Sequence, residues 1–318
     1  MRLIDIKLPV MIRYKMLKYM PVFLSLKRPK SGISFGDMSK IHETLIFQEV
    51  RGICPTIIWQ SLGGVYMLID THCHLSREDY DDIDLVIKEN RENGIGKIVV
   101  SACTKESILE CLEYIEKYDD VYLTIGFHPS ETESYNNDEL KFLRETIKNN
   151  KKIVGVGEIG LDYHYGKDDQ LKQIEMFIDQ MKLAGDLNLP VVIHSRDATE
   201  DTIKILKEFP NVTGVIHCFS GSVETAKIYI KMGYKIGIGG VVTFSNSKLF
   251  EVVEAVGIEN IVLETDSPYL TPVPYRGKKN SSKYIPFIAE KISEILKISV
   301  ENVSLETTKN ACSVFDLN

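Results

Sequence analysis

An apolar pair, Leu68-Ile69, runs into Asp70-Thr71-His72-Cys73-His74, which sets two histidines at i and i+2. On an extended strand, residues two apart point to the same side. Neutral imidazole is the commonest protein ligand for zinc-like cations, so two of them side by side at a strand end make half of a metal site. Two histidines on an ordinary polar strand end would read the same way, and the rest of the chain has to decide. Further along stand Glu158 in Gly157-Glu158-Ile159-Gly160, His194 in Ile193-His194-Ser195-Arg196, His217 in His217-Cys218-Phe219-Ser220-Gly221, and Asp266 in Glu264-Thr265-Asp266-Ser267-Pro268. Four imidazoles and two carboxylates are too many for one tetrahedral ion with an open position. They suit two divalent ions about 3.5–4 Å apart, an arrangement that clamps the attacking and leaving oxygens of a phosphoryl displacement. Glu158 is the expected bridge, with His72 and His74 on the first ion and His194 and His217 on the second. Asp266 is expected to ligate the first ion and to act as general base toward the nucleophilic water. Glu158 and Asp266 are thus the expected catalytic residues, and Glu264, which alternates with Asp266, is expected to support them from behind.

The elements that must position these groups are legible in the hydropathy pattern. From Met67 onward, short apolar runs at 68–72, 97–102, 121–127, 153–158, 190–194, 213–217, 235–239 and 261–265 read as strands. Amphipathic patterns near 79–93, 105–118, 137–149, 168–187, 198–209, 222–232 and 247–256 read as helices between them, with two more near 283–296 and 301–312. Near-continuous apolar strands separated by helices indicate a parallel sheet covered on its outer face. Eight such units in about 250 residues predict an α/β fold of the (β/α)8 TIM-barrel type, in which all C-terminal strand ends meet at one face. The candidate ligands fall at the ends of the first, fourth, fifth, sixth and eighth runs. His128, in Gly126-Phe127-His128-Pro129 after the third, adds a fifth histidine. An open doubly wound sheet is the other topology considered, but it does not require ligands at so many strand ends. Gly237-Ile238-Gly239-Gly240 has neither the GxGxxG order nor the Walker lysine. Its small residues are expected to let the end of the seventh strand approach the metal face.

Composition limits the partners. The chain has 318 residues, 44% of them apolar, and a formal net charge of −7. Residues 1–66 carry ten Lys/Arg against four Asp/Glu, leaving 28 against 41 in residues 67–318, a net of −13. A uniformly basic nucleic-acid surface is therefore excluded, and a polyanionic substrate has to be gripped locally. No apolar run reaches the roughly 18–20 residues of a membrane span. The six cysteines are scattered without CxxC pairs, which reads as free thiols in a reducing compartment, the cytoplasm. Residues 1–66 lack a clear period and break at Pro9, Pro21, Pro29 and Pro55, so they are expected to be an irregular extension preceding the barrel of 67–318. A transit peptide and an accessory arm are two readings of this stretch. The preferred one places the natural start at Met67, since Gly63-Gly64-Val65-Tyr66 can be encoded by a purine-rich sequence resembling a ribosome-binding site.

The motifs quoted above, with Gly157-Glu158-Ile159-Gly160-Leu161-Asp162-Tyr163, Pro274-Tyr275-Arg276-Gly277-Lys278-Lys279-Asn280 and Thr308-Lys309-Asn310-Ala311, carry a resemblance. From Met67 to about Phe315 the chain resembles the TatD family of metal-dependent deoxyribonucleases, within the amidohydrolase-like barrels. The resemblance implies divalent-metal-dependent hydrolysis of DNA phosphodiesters, typically exonucleolytic from a 3′ end, and magnesium-supported activity. Ligand type instead favours zinc- or manganese-like ions, so Mg, Mn and Zn all stay open. The chain reads Asn280-Ser281-Ser282 where family members often have Asn-Glu-Pro, which puts in doubt how the loop after the eighth strand meets substrate. DNA, single-stranded or with a free 3′ end, is the expected partner, with no membrane and no protein partner implied. His128, Arg196, Arg276 and Lys278 are expected to touch its phosphates, with Lys279 and Lys283 beside them; the other readings are a solvated basic loop, an Arg196 paired with a site carboxylate and a His128 that supports the ligands from behind. Phe127, Tyr163, Tyr165 and Phe219 flank the ligand motifs and either stack on bases or pack the barrel rim. Rim packing is expected for at least two of the four. Hydrolysis of another bond, a D-aminoacyl-tRNA ester or a small amide, is the alternative chemistry, and a metal-binding scaffold without turnover is the alternative outside catalysis.

Overall fold

The computed structural model describes residues 67–317 apart from Tyr165, Lys167 and Asp168. The expectations for residues 1–66, including the Met67 start, and for Tyr165 lie outside the described residues. Eight parallel strands follow one another around the sheet, each paired with the next: β1 (Leu68–Cys73), β2 (Ile95–Ala102), β3 (Val121–Ile125), β4 (Ile153–Asp162), β5 (Val191–Arg196), β6 (Gly214–Ile216), β7 (Lys235–Ile238) and β8 (Ile261–Leu263). Helices α1 (Ile83–Glu92), α2 (Lys105–Lys117), α3 (Asn137–Asn149), α4 (Gln170–Leu187), α5 (Thr199–Glu208), α6 (Val223–Lys231) and α7 (Leu249–Val256) lie between consecutive strands. Helices α8 (Ile285–Leu296) and α9 (Val300–Phe315) follow the last strand. Local chemistry sets several helix starts. Asp82 accepts from the Leu85 amide, Thr104 and Ser107 form a capping box, and Ser222 and Ser299 cap α6 and α9. The first helix begins four residues later than its apolar pattern because Ser76–Tyr80 forms a turn and Asp82 is the cap. Among the described residues no helix is long and apolar enough to cross a membrane.

Ile69, Val99, Tyr122, Val154, Val192, Val215 and Val262, one from each of seven strands, form a buried cluster of their own with Ala311, Phe315 and Leu317. Residues from seven of the eight strands can meet only inside the barrel, so this layer fills its interior and the end of α9 seals it. The larger cluster contains the alternate strand residues and the inner faces of the helices. This is the period-2 division expected of strands covered on both faces.

The seam between β8 and β1 is closed largely by side chains. Asp70, fully buried, accepts from the Thr265 amide at 3.0 Å and from Thr265 Oγ1 at 2.6 Å, while Thr71 Oγ1 donates to the Leu263 carbonyl at 2.9 Å. Just beyond, the Asp266 amide donates to the His72 carbonyl and the His74 amide to the Ser267 carbonyl. The seam therefore fixes three candidate ligands, His72, His74 and Asp266, relative to one another. Burial pushes the Asp70 carboxyl up to about 6, against the hydrogen bond from Thr265. Asp70→Ala removes the acceptor of three buried donors, the His72 and Thr265 amides and the Thr265 hydroxyl, and is expected to cost about 2–4 kcal/mol, to be read as a lowered urea midpoint at unchanged slope.

Candidate metal centre and active site

Each candidate ligand reaches the barrel mouth by a local device. His194 continues the inward series of Val192 on β5, and His217 that of Val215 just past β6. In β1 the register shifts between Asp70 and Cys73, so the two histidines do not sit on a regular ladder. In β4 the partners of Gly157 and Ile159 are Val192 and Ile193, which leaves Glu158 unpaired between them. Such a bulge re-aims a side chain, and bulges concentrate near active sites. Gly160 next to it has φ +145°, and a Cβ there would lie 2.0 Å from the His194 carbonyl oxygen.

Glu158 is the hub. Its Oε2 lies 3.5 Å from His72 Nε2 and 3.7 Å from His74 Nε2. Its Oε1 lies 2.6 Å from His217 Nε2, 2.7 Å from His194 Nδ1 and 3.9 Å from His128 Nε2. Asp266 Oδ1 completes the first group, 3.5 Å from His72 Nε2 and 3.6 Å from His74 Nε2. Metal–ligand bonds of about 2.0–2.2 Å give a tetrahedral edge of roughly 3.3–3.6 Å, close to the separations in this first group. The second group is drawn in to hydrogen-bond lengths.

The six expected ligands, with His128, are thus brought together at one end of the barrel. The donor chemistry fits divalent cations. His72 Nδ1 and Nε2 and His217 Nδ1 are buried without a hydrogen-bond partner, and buried polar atoms normally have one. The His74 Nδ1 faces the Ser101 carbonyl at 3.1 Å, which turns its Nε2 toward Glu158 and Asp266.

The charges are strongly coupled. Burial raises the Glu158 carboxyl, but the charge of His217 and hydrogen bonds from His194 and His217 outweigh it and hold the group well below the usual range. Burial likewise opposes ionisation of Asp266, and the His72 and His74 imidazoles facing it overcome the effect and hold the carboxyl well below its usual range. Burial lowers His72 and His128 to about 4 each, with repulsion from His217 adding to the effect on His72. His194 goes the other way, to about 9: its burial is outweighed by Asp162 and Glu158.

Asp162 was not among the expected site residues. β4 runs four residues past Glu158, and Asp162 Oδ2 sits 3.2 Å from His194 Nε2, the ring nitrogen opposite the one facing Glu158. Its signal was available, since Glu158, Gly160 and Asp162 alternate along one strand. Carboxylates that hold a ligating imidazole in this way typically contribute 10–100-fold to metal affinity. Asp162→Asn is therefore expected to weaken binding of a cation at His194 by about 10–100-fold, measured by competition with a chromophoric chelator. Glu264, expected as support, is fully buried: Oε1 accepts from the Cys218 amide at 2.5 Å and lies 4.0 Å from His217 Nδ1. Gly237 makes room for it, because a Cβ there would lie 2.2 Å from Glu264 Oε2. The small residues of β7 thus accommodate a carboxylate.

A cavity of about 420 Å³ opens beside His194, His217 and Asp266, and Arg196, Phe219 and Tyr269 also line it. Arg276 and Lys278 are exposed and do not line it. Arg276 lies over the Phe244 ring at 4.0 Å, Lys279 donates to the Asp79 carbonyl, and Lys283 pairs with Glu89 at 2.7 Å. The basic loop is dispersed over the rim. Its unusual Ser281 and Ser282 are buried, with Ser281 Oγ 3.2 Å from Asn90 Oδ1 of α1, and Asn280 Nδ2 donates to the Thr265 and Tyr269 carbonyls. The departure from Asn-Glu-Pro therefore falls in the packing of this loop against α1. Phe127 is 1% exposed, edge-on to Tyr135, and Phe219 packs edge-on to Tyr229, which makes both of them rim packing. Tyr269, 61% exposed at the cavity, is the aromatic presented to solvent there.

Known proteins resemble this chain over the whole barrel. Residues 69–316 match the family of TatD-related DNases. The chain is 41% identical over 256 residues, 79% of its length and all of the relative's, to the uncharacterized metal-dependent hydrolase YabD of Bacillus subtilis. The crystal structure of the TatD homolog YjjV from Escherichia coli superposes with a TM-score of 0.73 at 31% identity, covering 78% of this chain and 98% of that one. A TatD-family hydrolase from Entamoeba histolytica gives 0.71 at 26% identity, covering 79% and 98%. With a matched region that spans the whole barrel and a mouth built from imidazoles and carboxylates, this chain belongs to the TatD family and is a metal-dependent hydrolase.

Proposed function

We infer that the chain hydrolyses DNA phosphodiester bonds, releasing nucleotides from a 3′ end, with two divalent cations. The observation that carries this reading is the division at Glu158. One oxygen faces His72 and His74 with Asp266 beyond them, and the other faces His194 and His217 with His128 beyond. When bound, two cations supply Lewis acidity that offsets the charge of the phosphate and eases ionisation of the attacking water. The protein does the rest. Glu158 holds the two groups of imidazoles at a common centre. In this reading Asp266, kept ionised by His72 and His74, accepts the water proton. Arg196, at the cavity edge, gives a phosphate a charged donor. Tyr269 offers a face on which a terminal base can stack. The dispersed basic loop leaves few phosphate contacts, which favours engagement of a chain end over sliding along duplex.

The decisive assay is nucleotide release from single-stranded DNA labelled at its 3′ end, with added Mg²⁺, Mn²⁺ or Zn²⁺. Stepwise release by the wild type and none by Asp266→Asn is the expected result. Chelation is expected to abolish release reversibly while leaving the circular dichroism of the barrel unchanged, since the interior and outer clusters are apolar and do not involve the ligands. Absence of release with every cation would sink the nuclease reading. Turnover of D-aminoacyl-tRNA esters or small amides would then assign the other chemistry, and none at all would leave a cation-binding scaffold.

A further inference from the structure

Strand β2 ends without an expected ligand, yet it delivers Cys103 to the cluster. Val99, Ser101 and Cys103 alternate along its inward side. Val99 lies in the interior cluster, and Ser101 is buried with its hydroxyl 3.2 Å from Thr124 Oγ1. Cys103 Sγ lies 3.8 Å from Ser101 Oγ and 3.8 Å from Glu158 Oε2. His74, Cys103 and Glu158 each offer a donor atom within 4.8 Å of the others. A second, independent feature marks the same spot. His72 Nε2, on a side chain 1% exposed and without a hydrogen-bond partner, points at that same Glu158 oxygen from 3.5 Å.

We propose that the Cys103 thiolate joins His74 and Glu158 in holding the first cation and makes this position select a thiophilic cation such as Zn²⁺ over Mg²⁺. This rests on the reading that Glu158 and His74 hold a cation. Soft thiolate donors favour zinc-like ions, whereas Mg²⁺ takes oxygen donors almost exclusively. A zinc–sulfur bond of about 2.3 Å is longer than the bonds to nitrogen or oxygen, consistent with sulfur standing slightly further from Glu158 than the imidazoles do. On binding, the S–H bond breaks, its proton passes to solvent, and the sulfur lone pair forms the new bond to the cation.

The test uses the full 318-residue chain, stripped with a chelator, kept reduced with a phosphine and titrated with Cd²⁺. The wild type is expected to develop an ultraviolet thiolate-to-cadmium charge-transfer band that saturates at one equivalent. Cys103→Ser should lose it, whereas Cys218→Ser and Cys312→Ser should keep it, with elemental analysis reporting bound cation in each. A band that survives in Cys103→Ser, or Cd²⁺ bound by the wild type without a band, would overturn the thiolate and leave the Glu158–His74 reading standing. Failure of the wild type to bind Cd²⁺ at all would remove both. If Cys103→Ser does not fold, alkylation mapping of the wild type replaces it. Zn²⁺ should protect Cys103 from iodoacetamide and Mg²⁺ should not, and equal labelling with and without Zn²⁺ would overturn the proposal.

Discussion

Glu158→Gln is expected to lower metal-dependent hydrolysis by at least about 10³-fold, the upper end of what loss of one preorganised electrostatic contact costs. All five histidines of the centre lie within 4 Å of one or other Glu158 oxygen. Gln keeps the shape but removes the charge, and it turns one of the two oxygens into an amide nitrogen that cannot ligate. Whichever way the amide is flipped, one group of imidazoles loses its shared acceptor. Elemental analysis should show cation content falling together with activity, whereas a purely structural role for Glu158 would leave it unchanged. Glu158→Asp sharpens the distinction. It retains the charge but withdraws it by one methylene, and it should restore part of the cation binding and little of the turnover. A Gln variant with wild-type turnover would exclude the bridge and with it the division of the centre into two groups.

Gly160→Ala carries the second large effect, and it acts through the backbone. Gly160 has φ +145° and pairs with His194 across β4 and β5, so an added Cβ would meet the His194 carbonyl oxygen at 2.0 Å. That neighbour is main chain in a buried sheet and has no flexible end to swing aside. Overpacking of this kind and an unfavourable backbone region add to a cost of at least about 3 kcal/mol. For a barrel of this size that is a fall in Tm of roughly 6–12 °C. The strain also falls on the residue that carries a candidate ligand, so any folded protein should bind cation more weakly at His194. Gly277→Ala is the control. It too has a positive φ, +83°, but nothing lies within 4 Å of the new Cβ. It should show the smaller backbone cost alone, and equal Tm losses in the two variants would refute the clash.

The sequence by itself determined the architecture and most of the centre. Eight near-continuous apolar runs, separated by amphipathic helices, leave few ways to bury both strand faces, and the parallel barrel is the one observed. Histidines and carboxylates at the ends of those runs had to converge, because a barrel brings every C-terminal strand end to one face. What the tertiary structure decided depends on contacts between residues far apart in the chain. The bulge that makes Glu158 the hub exists because β4 carries one more residue than β5 can pair. Asp162 meets His194 of the neighbouring strand, and Cys103, just past the end of β2, comes within 3.8 Å of Glu158, 55 residues away. Asp70 closes the seam through Thr265, 195 residues away. The basic loop, continuous in sequence, is parted by what its side chains find nearby: Phe244 for Arg276, Asp79 for Lys279 and Glu89 for Lys283. Alternation and residue type are properties of neighbours along the chain, whereas a bulge, a seam and a dispersed charge cluster arise from the packing of distant segments.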